Sequence, residues 1–317
     1  MSTGDRTIAA RPPGETPAAG RWLNRLGYAA WPYLLLLPTI ALLFAFTLYP
    51  LGQGLWMSLF KRGIVVVPQV ESTHPVFVGL SNFVHLLDDI NFRTTLIKTL
   101  VFVVVAVPLL VVVSLGLAVL LSPQTKFYAF VRTIIFFPSM ISMLIIGVIW
   151  AWMFGRNSGL VNYGLSLLGI DAVPWLEDEL LAQIAVIIVW VWGGAGFNMM
   201  VLIAGLTAIP KDLYEAAAID NTSKWRQFTH ITLPLLQPSL VVVFVLGIIS
   251  AFQVYELVVS LTTGGPGRAT VYLIQNIYET AFRKPDQAGM AAAQSAVLFV
   301  ILMVLTILQL RFARKRS

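Results

Sequence analysis

A small group of polar side chains interrupts an otherwise apolar stretch near residue 250. The segment ISAFQVYELVVSL contains Ser250, Gln253, Tyr255 and Glu256. On a continuous helix Gln253 and Glu256 share a face with Ser260, so we predict one polar stripe along this segment. Hydroxyl, amide and carboxylate groups of this kind recognise a hydroxylated solute, and the same groups also bond neighbouring membrane helices together. The residues alone leave both interpretations open.

The remaining reactive residues form no catalytic or metal-binding pattern. The chain has no cysteine, which excludes disulfides, thiolate ligands and cysteine nucleophiles. His74, His85 and His230 are scattered and form no HExxH motif, so we expect no metal and no cofactor. The phosphate-binding pattern GxxxxGK[ST] is also missing from the sequence, so ATP hydrolysis is not expected on this chain. These features favour binding or transport over enzymatic activity.

The composition predicts a membrane protein built from helices. Hydrophobic residues make up 58% of the chain and charged residues 11%, which lies outside the range of soluble domains. About 20 consecutive apolar residues cross a bilayer as one helix. We therefore predict an all-α, polytopic fold with six transmembrane helices. They lie at about residues 31–53, 97–121, 133–154, 183–207, 239–261 and 289–310.

The distribution of Lys and Arg predicts the orientation of these spans. Of the 21 Lys and Arg residues, 13 lie on the side of the N-terminus if there are six spans, and positive charge favours the cytoplasmic side. Both termini are therefore predicted to be cytoplasmic. The net charge of +6 is explained by this topology, so no nucleic-acid partner is expected.

The two ends of the chain are polar and flank the predicted membrane domain. Residues 1–28 are rich in Arg, Pro, Gly, Ala and Thr, and we expect a disordered cytoplasmic tail without a cleavable signal peptide. Residues 29–317 are assigned to the transmembrane domain. Its basic C-terminal flank is expected to contact anionic membrane lipid; the flank consists of Arg311, Arg314, Lys315 and Arg316.

A charged segment, KDLYEAAAIDNTSKWRQFTHITLPLLQP, separates the fourth and fifth predicted spans. Pro210 precedes it and fits a first helical turn, which needs no backbone N–H. Asp212 and Glu215 place negative charge at the positive end of the helix dipole. The three alanines that follow favour helix and leave a low-profile face. We therefore predict a short helix that begins near residue 210 and fits a groove on a partner.

A turn and a second helix are predicted after this alanine-rich helix. Asn221 is a residue type that tolerates the left-handed backbone conformation. Thr222 or Ser223 can cap the next helix, and Pro234 and Pro238 limit its length. The segment is therefore predicted to form a helix, a turn and a helix.

The order of residues in this segment resembles the EAA loop of ABC-importer permeases. Glu215-Ala216-Ala217 is followed about sixteen residues later by Ile231-Thr232-Leu233-Pro234. The resemblance implies that residues 210–238 form a cytoplasmic coupling loop that docks on an ATPase subunit. The match assigns this role to Glu215, Ala216, Ala217, Asp220, Asn221, Leu233 and Pro234. Asn221 stands where such permeases usually carry Gly, and the alternative interpretation is an ordinary solvated loop.

Two further segments narrow the resemblance. Residues 77–99 are similar to the stretch after the first span of sugar-importer permeases, in which a short helix lies on the outer membrane face; Phe83, Leu86 and Leu87 would form its apolar side. Residues 261–282 begin with a Gly-Gly-Pro turn that is similar to the segment before the last span of the same permeases. The resemblance, from about 33 to 312, points to maltose-type carbohydrate ABC importers and to the first of their two permeases.

This resemblance implies a function, a set of partners and a location. The expected architecture is that of a type I ABC importer permease in the bacterial cytoplasmic (inner) membrane. The expected partners are a second homologous permease, a dimer of ABC ATPase subunits, an extracytoplasmic solute-binding protein and a carbohydrate. The substrate pathway is assigned to Ser250, Gln253, Tyr255, Glu256 and Asn198, with Trp190, Trp192 and Phe252 as further candidates for stacking on a sugar ring.

Two other classes of protein stay open as alternatives. A secondary carrier driven by an ion gradient should carry acidic residues at membrane depth in several spans, and here only Glu256 lies deep. An intramembrane enzyme would need paired catalytic groups at that depth.

Near Asn198, the glycines Gly193, Gly194 and Gly196 are expected to serve close helix packing.

Overall fold

The computed structural model describes residues 35–61 and 76–314. Its helices, in chain order, are α1 (Leu35–Met57), α2 (Ser81–Asp88), α3 (Ile90–Leu120), α4 (Lys126–Phe136), α5 (Met143–Met153), α6 (Leu160–Ser166), α7 (Glu179–Thr207), α8 (Lys211–Ile219), α9 (Lys224–Leu235), α10 (Gln237–Phe252), α11 (Glu256–Leu261), α12 (Leu273–Arg283) and α13 (Ala288–Arg314). Over these residues the only β pairing is an isolated bridge between Phe60 and Phe77. The all-α prediction is confirmed.

The chain forms two compact units, one up to Gly54 and one from Leu55 onwards. Most of α1 belongs to the first unit, and its apolar side chains are exposed. The helix contains a π-helical turn at Phe44–Leu48. All the sites described below lie in the second unit. The predicted tail at residues 1–28 lies outside the described residues.

Four of the helices are long and apolar enough to cross a membrane, namely α1, α3, α7 and α13. Two bent pairs bring the number to six if each pair counts as one span. The segment from Lys126 to Met140 meets α5 at an angle of 100°, and α9 meets α10 at 67°. The segment predicted as the third span, at about 133–154, is therefore bent, and its break lies between Met140 and Met143.

The second predicted span begins earlier than its apolar run. Asp89 caps α3 by accepting a hydrogen bond from the backbone N–H of Asn91 at 2.8 Å. In the first turns of α3, Phe92 and Thr95 are buried against the protein, whereas Arg93 and Thr94 are exposed. The fold thus adds about two helical turns before residue 97, the predicted start of this span.

The core forms where α3, α7 and α10 pack together. The Ser114 hydroxyl on α3 donates to the Ala195 carbonyl on α7 at 3.3 Å. Phe102 stands edge-to-face against Trp190 and tilted against Tyr272, with ring centroids 5.6 and 4.9 Å apart. These contacts place the start of α12 against the first half of α3.

Glycines on α7 allow this close packing. A Cβ on Gly196 would collide with backbone atoms of Ile135 and Phe136, and one on Gly193 would lie 2.8 Å from the Met143 side chain. The predicted close packing is confirmed at Gly193 and Gly196, whereas Gly194 has only an ordinary contact with Leu110 at 3.4 Å.

One end of the unit carries α2, α12 and the loop between α11 and α12. Lys98 near the start of α3 donates to the Arg268 carbonyl at 2.9 Å. The predicted short helix after the first span is present as α2, but Leu86 is buried against the protein while Leu87 is exposed. The predicted Gly-Gly-Pro turn is also present, with Gly264 and Gly267 at positive φ.

Candidate functional sites

The segment between α7 and α10 forms a helical hairpin at the end of the unit where α3 and α7 finish. Its first helix, α8, begins after Pro210, and its second, α9, begins after Ser223. Ser223 caps α9 by accepting from the backbone N–H of Arg226 at 3.4 Å. The predicted helix, turn and helix are confirmed, and of the two possible caps the structure uses Ser223.

The turn of the hairpin is built around Asn221. Asn221 has φ +51°, and its N–H donates to the Ala218 carbonyl at 3.1 Å. The N–H of Thr222 donates to the Ala217 carbonyl at 2.9 Å. Together these bonds form a Schellman motif, in which a left-handed residue closes the helix. The left-handed conformation predicted at Asn221 is confirmed.

One face of α8 is exposed along its whole length. Asp212, Glu215, Ala216 and Ile219 lie three or four residues apart and are all exposed, so they share a side of the helix. The Ile219 side chain is 82% exposed. Glu215 forms no salt bridge to any residue that the structure describes. We call these four residues the docking face.

The opposite side of α8 faces α9. The hydroxyl groups of Tyr214 and Thr232 lie 2.9 Å apart. Both residues line a cavity of about 700 Å³ between the hairpin and the ends of α3 and α7. Buried Gln227 donates to the Thr222 carbonyl at 3.0 Å, which joins α9 to the turn.

Leu233 and Pro234 follow a π-helical turn in α9. The turn spans Phe228–Thr232, and the N–H of Leu233 bonds the Phe228 carbonyl five residues earlier. A proline inside a regular helix removes one hydrogen bond and crowds the preceding turn. The wider π turn accommodates Pro234, so the helix continues to Leu235.

A second site lies where the chain breaks between α10 and α11. The helix α10 ends at Phe252, Tyr255 has φ −145° and ψ −60°, and α11 begins at Glu256. The predicted continuous helix over 239–261 and its single polar stripe are therefore wrong. Ser260 departs from the group because its side chain packs against Gly147 and its hydroxyl bonds the Glu256 carbonyl at 2.9 Å.

The break nevertheless brings the other polar residues of this segment together. They line a cavity of about 380 Å³, which we call the membrane cavity. Its lining consists of Met143, Trp190, Ser250, Gln253, Val254, Tyr255, Glu256, Leu257 and Ile274. Gln253 and Glu256 are exposed, whereas Trp190 is 4% exposed. Amide, carboxylate and hydroxyl groups beside an aromatic wall suit a hydroxylated ligand.

The second helix break lies beside the first. Ser142 caps α5 by accepting from the N–H of Leu144 at 3.3 Å. Its hydroxyl also donates to the Glu256 carboxylate at 3.4 Å. Neither Ser142 nor Met143 is among the site residues predicted from the sequence. A Ser before an apolar run, four residues after Pro138, is the available signal for a helix restart there.

Three other predicted candidates lie away from the membrane cavity lining. Asn198 is buried, and its amide donates to the Gly194 carbonyl of its own helix at 2.9 Å. Phe252 is fully buried in the core. Trp192 stacks edge-to-face on Trp150 at 5.4 Å. The structure groups none of them with Gln253 and Glu256.

Helices of membrane-spanning length, a polar cavity at paired helix breaks and an exposed helical hairpin define this chain as a membrane permease. It belongs to the family described as the binding-protein-dependent transport system inner membrane component, whose model matches residues 111–317. It is thus a multi-pass inner-membrane protein, and the family predicted from the sequence is confirmed.

Known proteins similar to this chain include two curated permeases. The trehalose/maltose transport system permease protein of Thermococcus litoralis is 34% identical over 284 residues, covering 90% of this chain and 94% of that protein. The lactose transport system permease protein of Rhizobium radiobacter is 34% identical over 291 residues, again covering 90% and 94%.

A solved structure supports the fold. A chain of a bacterial ABC transporter involved in the import of the acidic polysaccharide alginate superposes with a TM-score of 0.78 and 24% identity, covering 93% of this chain and 99% of that one. The predicted architecture of a type I ABC importer permease is confirmed.

Proposed function

We propose that this chain is the transmembrane permease subunit of an ATP-driven importer that moves a carbohydrate by alternating access. The observation that supports this most directly is the docking face on α8. The face is acidic and apolar, contains Ala216, which allows close approach, and extends from a hairpin rather than packing on the core. Because this chain lacks a phosphate-binding loop, it needs a contact with a separate ATPase, and the docking face would supply that contact.

The partner at the docking face is an ATPase subunit. Glu215 would pair with a basic groove on that subunit, and Ile219 would enter an apolar part of the same groove. The hairpin is held in shape at its turn by Asp220 and Asn221, and after the π turn of α9 by Leu233 and Pro234. One chain offers one docking helix, whereas an ATPase dimer offers two grooves, so a second homologous permease completes the complex.

The membrane cavity is the proposed solute pathway. Gln253, Tyr255 and Glu256 would bond hydroxyl groups of the solute, and Trp190 would contact an apolar ring face. A carbohydrate is the solute class because the two curated relatives are named for trehalose, maltose and lactose transport. Asn198 is a weaker candidate for contact with the solute, because its amide already donates to a carbonyl of its own helix.

Paired helix breaks give a physical basis for alternating access. The segments on either side of 253–255 and of 141–142 are helices joined by short non-helical links. Movement of α9 and α10 on one side of the break would change the cavity while α11 and α5 stay packed together. The cytoplasmic side is placed at the hairpin, which puts both termini in the cytoplasm and an extracytoplasmic solute-binding protein at the other side.

Reconstitution tests this proposal. The chain is co-expressed with candidate ATPase and permease subunits from the same organism, purified, placed in liposomes with the binding protein, and offered radiolabelled maltose, trehalose and lactose in turn. We expect the ATPase to co-purify and uptake of at least one sugar to require ATP. Uptake that needs an ion gradient and no ATP would instead support a secondary carrier. Failure of the ATPase to associate would overturn the proposed ATP-driven role.

A further inference from the structure

The helix α8 has few attachments to the rest of the protein. None of its side chains is buried. Within the described residues, the Tyr214–Thr232 contact is the only side-chain hydrogen bond that joins α8 to another helix. A displacement of α8 by a partner can therefore reach the body of the protein through the backbone link to α7 at residues 208–210, through the turn at Asn221, or through this bond.

The Thr232 end of the bond is fixed in the protein. Thr232 is only 7% exposed and ends the π turn of α9. Four residues later Leu236, which is fully buried, packs with Met199 and Leu202 of α7. The next helix, α10, begins at Gln237 and ends beside the membrane cavity. Thr232 thus lies on a packed route from the hairpin to the cavity.

The backbone turn is a poor route for a lateral displacement. Residues 220–223 join α8 to α9, and Asn221 is the left-handed residue among them; two short helices joined by such a turn can rotate about it. A hydrogen bond seven residues before Asn221 on one arm and eleven residues after it on the other fixes the angle between the arms. It therefore restricts the hinge that the turn would otherwise provide.

We propose that Tyr214 and Thr232 are a positioning pair that transmits movement of α8 into α9 and α10. This inference rests on the proposed function, because it assumes that an ATPase moves α8. Tyr214 lies on the side of α8 opposite the docking face, so the bond can be removed without changing the surface that the ATPase contacts. The pair therefore separates transmission from docking.

Two conservative substitutions test the pair in the reconstituted importer. Tyr214→Phe and Thr232→Val keep side-chain shape and remove one hydroxyl each. We expect the ATPase to co-purify at wild-type yield, while the number of sugar molecules imported per ATP hydrolysed falls about two- to tenfold, the range expected for one lost hydrogen bond. The double variant should be no worse than the more severe single variant, because both remove the same bond.

Matched controls come from the same helix. Thr232→Ser keeps the hydroxyl and should restore the import ratio. Thr229 lies in the same π turn, and its hydroxyl bonds the Trp225 carbonyl of its own helix at 3.0 Å. Thr229→Val removes this hydroxyl and should leave the import ratio unchanged. If Thr232→Val lowers the yield of protein, the import ratio of Tyr214→Phe alone tests the pair, because Tyr214 is only half-buried.

The results distinguish this inference from the proposed function. Loss of ATPase association in the wild-type chain would overturn the proposed function itself. Wild-type association and transport together with an unchanged import ratio in Tyr214→Phe would overturn the positioning pair alone. An equal fall of the ratio in Thr229→Val would also overturn it, since a general effect on the π turn would then explain the loss.

Discussion

The hydroxyl of Ser142 and the carboxylate of Glu256 lie 3.4 Å apart although 114 residues separate them in sequence. Each residue stands at the first turn of a helix that restarts after a break. The contact therefore joins the break before α5 to the break between α10 and α11. A membrane helix can expose unpaired backbone groups only where protein or a water-filled cavity receives them. Paired breaks beside a cavity satisfy this condition and open room for a polar solute.

Removal of a cavity side chain should impair transport and leave assembly intact. Gln253→Ala and Glu256→Ala each delete a group that lines the membrane cavity. A lost hydrogen bond to a bound solute costs about 1–3 kcal/mol, so we expect transport efficiency to fall about 5- to 150-fold in reconstituted liposomes. Ser260→Ala is the control, because its hydroxyl bonds its own helix at 2.9 Å. Reduced yield and thermal stability with normal transport per complex would assign these residues to packing instead.

Thiol labelling gives a direct test of cavity access. The chain has no native cysteine, so a single Gln253→Cys variant carries the only thiol. A water-soluble maleimide added from the side opposite the hairpin should modify it in one transport state and be excluded after ATP is trapped. Inertness in every state, with the complex assembled, would show that solvent does not reach Gln253.

A reversed charge on the docking face should prevent association with the ATPase. Glu215→Lys places a cation where a basic groove is proposed, and like charges at a contact weaken binding by several kcal/mol. We expect the protein to insert in the membrane normally while the ATPase no longer co-purifies. Asp171→Lys, an equally exposed change in the loop before α7, should have no effect. Normal association of the Glu215 variant would remove this residue from the interface.

The left-handed turn of the hairpin should accept glycine and resist a β-branched residue. Asn221 has φ +51°, where Val suffers a steric penalty of roughly 1–2 kcal/mol or more and Gly suffers none. Asn221→Gly should therefore retain the ATPase at wild-type level, whereas Asn221→Val should lose several-fold of it on purification. Similar retention by the two variants would contradict a role for the turn geometry in docking.

Local signals were sufficient to predict the hairpin. Proline before α8, acidic residues in its first turn and Asn221 at its end each act through backbone groups one or two turns away. The helical type of the spans also followed from apolar runs. These features depend on neighbours in sequence, which is why the structure confirms them.

The breaks in the membrane helices could not be read from the same signals. Residues 249–261 contain no proline or glycine, so periodicity predicts one helix. The chain departs from it because Glu256 and Leu257 pack against α5 of the third span, a contact between distant parts of the sequence. Ser142 was missed for the same reason, since its importance comes from Glu256. Asn198 was assigned to the pathway on residue type, whereas its amide bonds its own helix.

Close packing of α7 on α4 makes a prediction that a pair of glycines can test. A Cβ on Gly196 would meet backbone atoms of Ile135 and Phe136, and backbone cannot move aside as a flexible side chain can. At Gly194 the nearest atom is a Leu110 methyl at 3.4 Å, an ordinary contact. Overpacking costs about 1–3 kcal/mol, so Gly196→Ala should lower the melting temperature of the purified permease by several degrees. Gly194→Ala should leave the melting temperature nearly unchanged, and equal melting temperatures for the two variants would show that α7 and α4 are not in close backbone contact at Gly196.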